Sequence, residues 1–205
     1  MIFSGIVIRR LAVTVMFAMF AACTPLQQTA GPDTLARDNQ IAALQSLSVW
    51  QADGRIAVRH SGGGGQGRIQ WQQNGPDTDI VLSGPLGIGA TQIIWRSDTV
   101  SLITANGEEQ RRYEGLDAAE QFLASELGWQ LPVSSIRYWL LGVPDPVWPH
   151  ADSFDESGQL QSMQQRGWVM TYKSFALAAG RPVPTRMDAE LGSLRLRVIV
   201  DDWEL

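Results

Sequence analysis

Leu194-Arg195-Leu196-Arg197-Val198-Ile199-Val200-Asp201-Asp202-Trp203 reads as a β-strand with one buried face. Leu194, Leu196, Val198 and Val200 alternate with Arg195, Arg197, Ile199 and Asp201. Successive side chains of a strand point to opposite faces, so a period of two marks a half-buried antiparallel strand. The same period governs Val49 to Arg59. There Trp50, Ala52, Gly54, Ile56 and Val58 alternate with Gln51, Asp53, Arg55 and Arg59, with Ala57 as the exception.

Working outward, the glycine-rich run Ser61–Gly67 reads as a hairpin loop. Gly67, Ile69 and Trp71 then alternate with Arg68, Gln70 and Gln72. Further strands are predicted at 79–83, 90–96, 99–104 and 109–113, with turns at Ser97-Asp98 and Ala105-Asn106-Gly107. After position 157 the strand pattern returns at 158–165, 167–175, 185–191 and 193–203. Three helices interrupt it. Asp33 can cap one running to Ser46, with Leu35, Ile41 and Leu44 as weak apolar contacts. Asp117 and Glu120 form a capping arrangement ahead of Ala118–Leu127. Pro132 can open and Gly142 can end a third, on which Ile136, Trp139 and Leu140 share a face. About ten antiparallel strands with short turns suggest a sandwich or barrel. Three short helices cannot form their own core, so they should cover one opening or face of the sheet.

The N-terminus carries a different pattern. Arg9 and Arg10 precede the apolar run Leu11–Ala22, which is shorter than the ~20 residues of a membrane span and suits a signal-peptide core. Small residues Ala21 and Ala22 then precede Cys23, the one cysteine of the 205 residues. With no partner for an intramolecular disulfide, a thiol directly after a cleavage site is a candidate for acylation. Phe20-Ala21-Ala22-Cys23 resembles a bacterial lipobox, with Phe20 where an aliphatic usually stands. Thr24 in place of aspartate fits export to an outer membrane. The expected organisation is a signal peptide at 1–22, an acylated N-terminus and flexible tether at 23–32, and one folded domain at 33–205.

Loss of Arg9 and Arg10 takes the formal charge from −5 to −7. Such a chain has no footprint for nucleic acid. Gly62–Gly65 is followed by no Lys-Ser/Thr, which argues against a phosphate cradle. His60 and His150 lack metal-ligand spacing. Asp201 and Asp202, as neighbours in a strand, should point to opposite faces and not act as a pair. No cofactor, metal or catalytic group is expected. Eight tryptophans against two histidines point to apolar surface more than to acid–base chemistry.

Several stretches carry a family resemblance. They are Trp50–Val58, Gly67–Gln73, Leu82-Ser83-Gly84-Pro85-Leu86-Gly87, Leu131–Pro144 with its Leu-Leu-Gly-Val-Pro ending, and Leu194–Trp203. The chain resembles the LolB family of outer-membrane lipoprotein receptors over 47–203, while 149–167 matches poorly. The resemblance implies a mainly β fold with α: an unclosed antiparallel β-barrel of about ten to eleven strands, with a three-helix lid enclosing an apolar cavity. It implies a monomer, lipid-anchored at Cys23, with its domain facing the periplasm. The receptor would take lipoproteins from the periplasmic carrier LolA and insert them into the inner leaflet of the outer membrane. Candidate cavity residues are Trp50, Ile56, Val58, Ile69, Trp71, Leu82, Ile93 and Trp95, with Val198 and Val200, and Ile136, Trp139 and Leu140 from the lid. Plain core packing is the competing reading for each. Leu86, flanked by Gly84, Pro85 and Gly87, sits at a loop tip. The resemblance makes it a membrane-touching wedge; the alternative is a leucine folded back on its domain. Arg137 is either a solvated helix charge or a contact for carrier or headgroup. A β-rich structural or assembly partner of the outer membrane, or an anchored hydrolase, are the alternative functions.

Overall fold

In the computed structural model, residues 32–84, 90–104, 107–115, 117–127 and 131–205 are described. Residues 36–205 form one unit, and of the other, 1–35, only the start of a helix is described. The expected signal peptide and nearly all of the tether therefore lie outside the described residues.

Helix α1 spans Pro32–Gln45. Six strands follow: β1 Val49–His60, β2 Gly63–Asn74, β3 Asp77–Ser83, β4 Thr91–Arg96, β5 Thr99–Thr104 and β6 Glu109–Glu114. Helices α2 (Ala118–Leu127) and α3 (Val133–Leu140) intervene. Five strands complete the chain: β7 His150–Phe154, β8 Leu160–Gln165, β9 Trp168–Ala178, β10 Arg181–Leu191 and β11 Leu194–Glu204. All eleven form one antiparallel sheet in the order β6-β5-β4-β3-β2-β1-β11-β10-β9-β8-β7. The edges, β6 and β7, are not paired with each other, so the sheet is unclosed. The chain crosses between those edges through α2 and α3.

The central strands follow the alternation of the sequence. Trp50, Ala52 and Val58 of β1 and Leu194, Leu196, Val198 and Val200 of β11 are buried. A bulge interrupts this pair: Asp53 faces Asp202 but Gly54 faces Val200, leaving Asp201 as the extra residue. Asp201 and Asp202 are consequently both exposed, contrary to the strict alternation expected of them. Gly54 is needed here, because a Cβ would run into the Ile199 carbonyl oxygen.

The glycine run is also not the loop its composition suggests. Only Ser61 and Gly62 turn, and Gly63–Gly67 pair with Ile56–His60 as strand. The glycines allow close approach: a Cβ on Gly67 would meet the Ser83 carbonyl oxygen, and one on Gly64 would lie 2.5 Å from that of Val58. β7 adds a strand where none was expected. β10 begins at Arg181, ahead of the predicted 185, and the register slips beside Pro184. Of the α1 contacts, Leu44 is buried and Ile41 packs on the core, whereas Leu35 is exposed.

Two buried glutamines organise the interior. Gln73 Oε1 accepts from the Trp71 indole and the Thr78 hydroxyl, both at 3.0 Å, while its Nε2 donates to Gly75 O and Asp77 O. Gln165 Oε1 accepts from the Trp139 indole at 2.8 Å and the Asp145 amide at 3.0 Å, and its Nε2 donates to the carbonyls of Asp145 and Trp148. Tyr172 donates to the carbonyl of Trp139 at 3.0 Å, and burial raises its phenol pKa far above the ordinary value. These bonds fix α3 to β8 and β9. Gly142, at φ 74°, then ends α3 by donating to the Trp139 carbonyl.

Gln165→Ala should destabilise the protein by about 2–4 kcal/mol, since it orphans two buried donors and two carbonyls together. Urea unfolding followed by tryptophan fluorescence measures this. Asp152 gives a pH test. Burial raises its pKa, with His150 opposing, and its Oδ1 is buried without a partner. The folded state therefore holds the proton more tightly than the unfolded one, and stability falls as pH rises from the ordinary value of 3.8 through the raised one. Asp152→Asn should raise the melting temperature relative to the parent more at pH 7 than at pH 3.

Candidate functional site

The inner face of the β1–β5 arm is not completely filled. An open apolar cleft of about 580 Å³ lies between it and α2. Ile56 and Val58 from β1, Leu82 from β3, Ile93 from β4, Leu102 from β5 and Phe122 from α2 form its walls. Gly64, Gly65, Gly67 and Gly84 border it, so side chains do not narrow it there. The volume falls in the ~300–1,000 Å³ range of small-molecule pockets; the apolar walls suit an apolar ligand, and His60, Gln66, Arg68, Ser83 and Thr91 are the polar residues of the lining.

Helix α2 covers the cleft because its apolar residues share one side. Ala118, Ala119, Phe122 and Leu123 are buried, and the helix packs on β5 and β6. Phe122 meets Tyr113 edge to face, with ring centroids 5.9 Å apart. The Ser125 hydroxyl donates to that of Tyr113 at 2.6 Å. The buried side of the lid that meets the sheet edge is apolar, with the Ser125–Tyr113 bond beside it.

The expected lining residues separate into two groups. Ile56, Val58, Leu82 and Ile93 come together around the cleft. The others do not border it. Trp50 stacks on Trp71 at 5.9 Å and tilts against Trp203 at 5.6 Å, forming a filled aromatic cluster. Ile69, Val198 and Val200 are buried in the core, and Trp95, partly buried, donates to the Ser97 carbonyl. Trp139 packs against Trp168 and, with Leu140, is buried; Ile136 is partly buried. Leu102 and Phe122 are wall residues that the sequence reading passed over. Leu102 follows the inward period set by buried Val100, and Phe122 lies on the apolar side of α2.

Cys23, Pro85, Leu86 and Gly87 lie outside the described residues. Gly84 is described and borders the cleft. Arg137 is not a freely solvated charge: it donates to the Tyr138 hydroxyl at 2.6 Å, its guanidinium lies 4.6 Å from that ring, and its Nε is buried without a partner.

The family model described as Outer membrane lipoprotein LolB matches residues 48–203. An outer-membrane lipoprotein LolB of Nitrosococcus oceani is 33% identical, with 96% of this chain and 98% of that protein covered. One of Stutzerimonas stutzeri is 34% identical, covering 92% of this chain and 90% of that protein. Among solved structures, a LolA superfamily protein of Nitrosomonas europaea superposes with a TM-score of 0.54 at 10% identity, over 82% of this chain and 92% of its own. A DUF1329 family protein of Desulfovibrio piger gives 0.51 at 8% identity, over 84% of this chain and 92% of its own. These two likenesses concern the fold.

A cleft with these walls should take up a fluorescent fatty acid. Leu102→Glu places a carboxylate on a partly buried wall and should weaken that uptake at least tenfold. Leu177→Glu, at a residue 76% exposed, should leave it unchanged. Equal binding by both variants would exclude the cleft as the apolar site.

Proposed function

The chain belongs to the outer membrane lipoprotein LolB family, and from that premise we propose that it is a lipid-anchored receptor which accepts lipoproteins from the periplasmic carrier LolA and inserts them into the inner leaflet of the outer membrane. The observation that carries this reading is the open apolar cleft beneath α2. A structural partner in the membrane needs a filled core and an outer binding face; a receptor for acyl chains needs unfilled apolar space that a lid can widen.

The energetics set the task. Three acyl chains, on the order of 40 methylenes at about 0.8 kcal/mol each, would cost tens of kcal/mol to release into water. The receptor must therefore keep them covered throughout transfer. Ile56, Val58, Leu82, Ile93, Leu102 and Phe122 are the side chains that first meet them. The volume suits one drug-sized ligand, so taking several chains requires α2 to move away from β5 and β6. Its buried contact with the sheet, through Ala118, Ala119, Phe122 and Leu123, is apolar and carries no directional bond, which favours that motion.

Cys23 is the proposed lipidation site, placing the domain on the periplasmic side of the outer membrane. The segment from Cys23 to Pro32 tethers it. Leu86 is the proposed wedge through which chains leave the cleft for the bilayer. Its segment follows directly on Gly84, which borders the cleft.

Mixing the acylated full chain with LolA loaded with a lipoprotein should move the cargo onto the receptor and then into vesicles. Leu86→Glu should accept cargo normally and insert it poorly. Normal insertion by that variant would remove the wedge role. Failure of the parent chain to take cargo from a carrier that delivers to another acceptor would refute the receptor reading.

A further inference from the structure

The outward face of the central strands carries a basic surface that is out of character for an acidic chain. Arg55 and Arg59 on β1, Arg68 on β2, and Arg195 and Arg197 on β11 border a groove of about 580 Å³. Asp188 and Glu190 of β10 are the acidic residues on the same border. Three arginines have partners here: Arg55 with Asp201 at 2.8 Å, Arg197 with Asp188 at 2.6 Å, and Arg195 with Glu190 at 3.6 Å. Lys173 also reaches Asp188, at 3.0 Å. Arg59 and Arg68 have no carboxylate partner among the described residues.

The register sharpens the point. Arg55 lies directly opposite Arg68, and Arg59 directly opposite Arg195. Like charges in facing positions of neighbouring strands destabilise a sheet. One member of each facing pair has a carboxylate partner, so the excess positive charge of this face rests on Arg59 and Arg68. An anion brought to the groove would relieve it.

The position of the groove selects the anion. Arg68 pairs in register with Ser83, the residue before Gly84, and Gly84 borders both this groove and the apolar cleft. The basic surface therefore begins where the strand leading towards residue 86 ends. We propose that the outward arginines of β1, β2 and β11 dock this face on the anionic phospholipid headgroups of the target leaflet. This rests on the reading of the chain as a receptor that delivers into a membrane, and it adds lipid charge as a determinant of delivery. Guanidinium groups suit the purpose because their planar donors match phosphate oxygens and are held less tightly by water than an ammonium group. Docking would hold the cleft border at the bilayer surface.

The test uses the acylated full chain with Ala57→Cys, a half-buried residue on the groove border that does not line the cleft, carrying an environment-sensitive fluorophore. The protein is reconstituted into phosphatidylcholine vesicles with or without phosphatidylglycerol, both containing headgroup-nitroxide lipid. Quenching should be strong with phosphatidylglycerol, weak without it, and reversed by high salt. The Arg59→Gln, Arg195→Gln double variant should lose roughly fivefold in quenching-derived affinity for each charge removed, the usual effect of a basic side chain at an anionic leaflet. Neither residue lines the cleft, so uptake of cargo from the carrier should be unchanged. Equal quenching in both vesicle types overturns the proposal, as does a double variant that behaves like the parent. Quenching that appears only when carrier is added also overturns it, because the face then docks protein. Cargo uptake is read in the same samples. Parent protein that takes and delivers cargo without lipid-dependent quenching refutes headgroup docking alone. Lipid-dependent quenching without cargo uptake refutes the receptor reading and leaves the basic surface as a membrane contact.

Discussion

A sheet of eleven antiparallel strands that never pairs its two edges cannot cover its own inner face. A closed barrel solves that problem with backbone hydrogen bonds alone. Here β6 and β7 stay apart, and the chain between them crosses through α2 and α3. The helices must therefore supply what closure would have supplied. α3 does so with a buried tryptophan and a dense set of hydrogen bonds to β8 and β9. α2 does so with two alanines, a phenylalanine and a leucine, and leaves the cleft. The two edges are protected by composition: β6 is Glu-Gln-Arg-Arg-Tyr-Glu, and β7 is five residues long. Charge and brevity both discourage pairing with another chain.

The fixed and the open parts of the interior use different chemistry. Gln73 and Gln165 are neutral, and each satisfies donors and acceptors at once through one amide. A buried carboxylate in either place would face carbonyl oxygens and carry an unpaired charge, which costs several kcal/mol. The glutamines consequently tie down loop backbone at low electrostatic cost, and the tryptophans that donate to them are held in one orientation. The cleft side chains Ile56, Val58, Leu82, Ile93, Leu102 and Phe122 offer no polar atoms for such a hub. Apolar walls without directional bonds can separate and rejoin at small cost, which suits a lid.

Alternation made most of the sheet legible in the sequence, because a period of two is imposed by the backbone and survives in any half-buried strand. What escaped reading were the places where backbone geometry overrode side-chain pattern. Gly63–Gly67 has no side chains to alternate, so its pairing with β1 was invisible. β7, His-Ala-Asp-Ser-Phe, is an edge strand whose mostly polar residues show no buried face. The bulge at Asp201 breaks the period without altering composition. The site was half legible for the same reason. Trp50, Trp71 and Ile93 share one inward pattern, but pattern shows only which side is buried. It cannot distinguish a residue that meets another side chain from one that meets a void. The three-dimensional arrangement makes the division: Ile93, Leu102 and Phe122 line a shared cleft, whereas Trp203 tilts against Trp50.

That division bears on the direction of transfer. Burying a methylene contributes about 0.8 kcal/mol whether the surroundings are protein or lipid. A receptor and a bilayer thus differ chiefly in how completely each covers the chain. A cleft open along a glycine border leaves part of any occupant exposed, whereas a bilayer covers all of it. Each methylene left uncovered in the protein makes passage to the membrane downhill. A fully enclosed cavity would forfeit that gradient and need another source of energy for release. The same glycines that let β1, β2 and β3 approach closely also leave gaps between the side chains of that border, so the sheet packing and the incomplete cover share a cause.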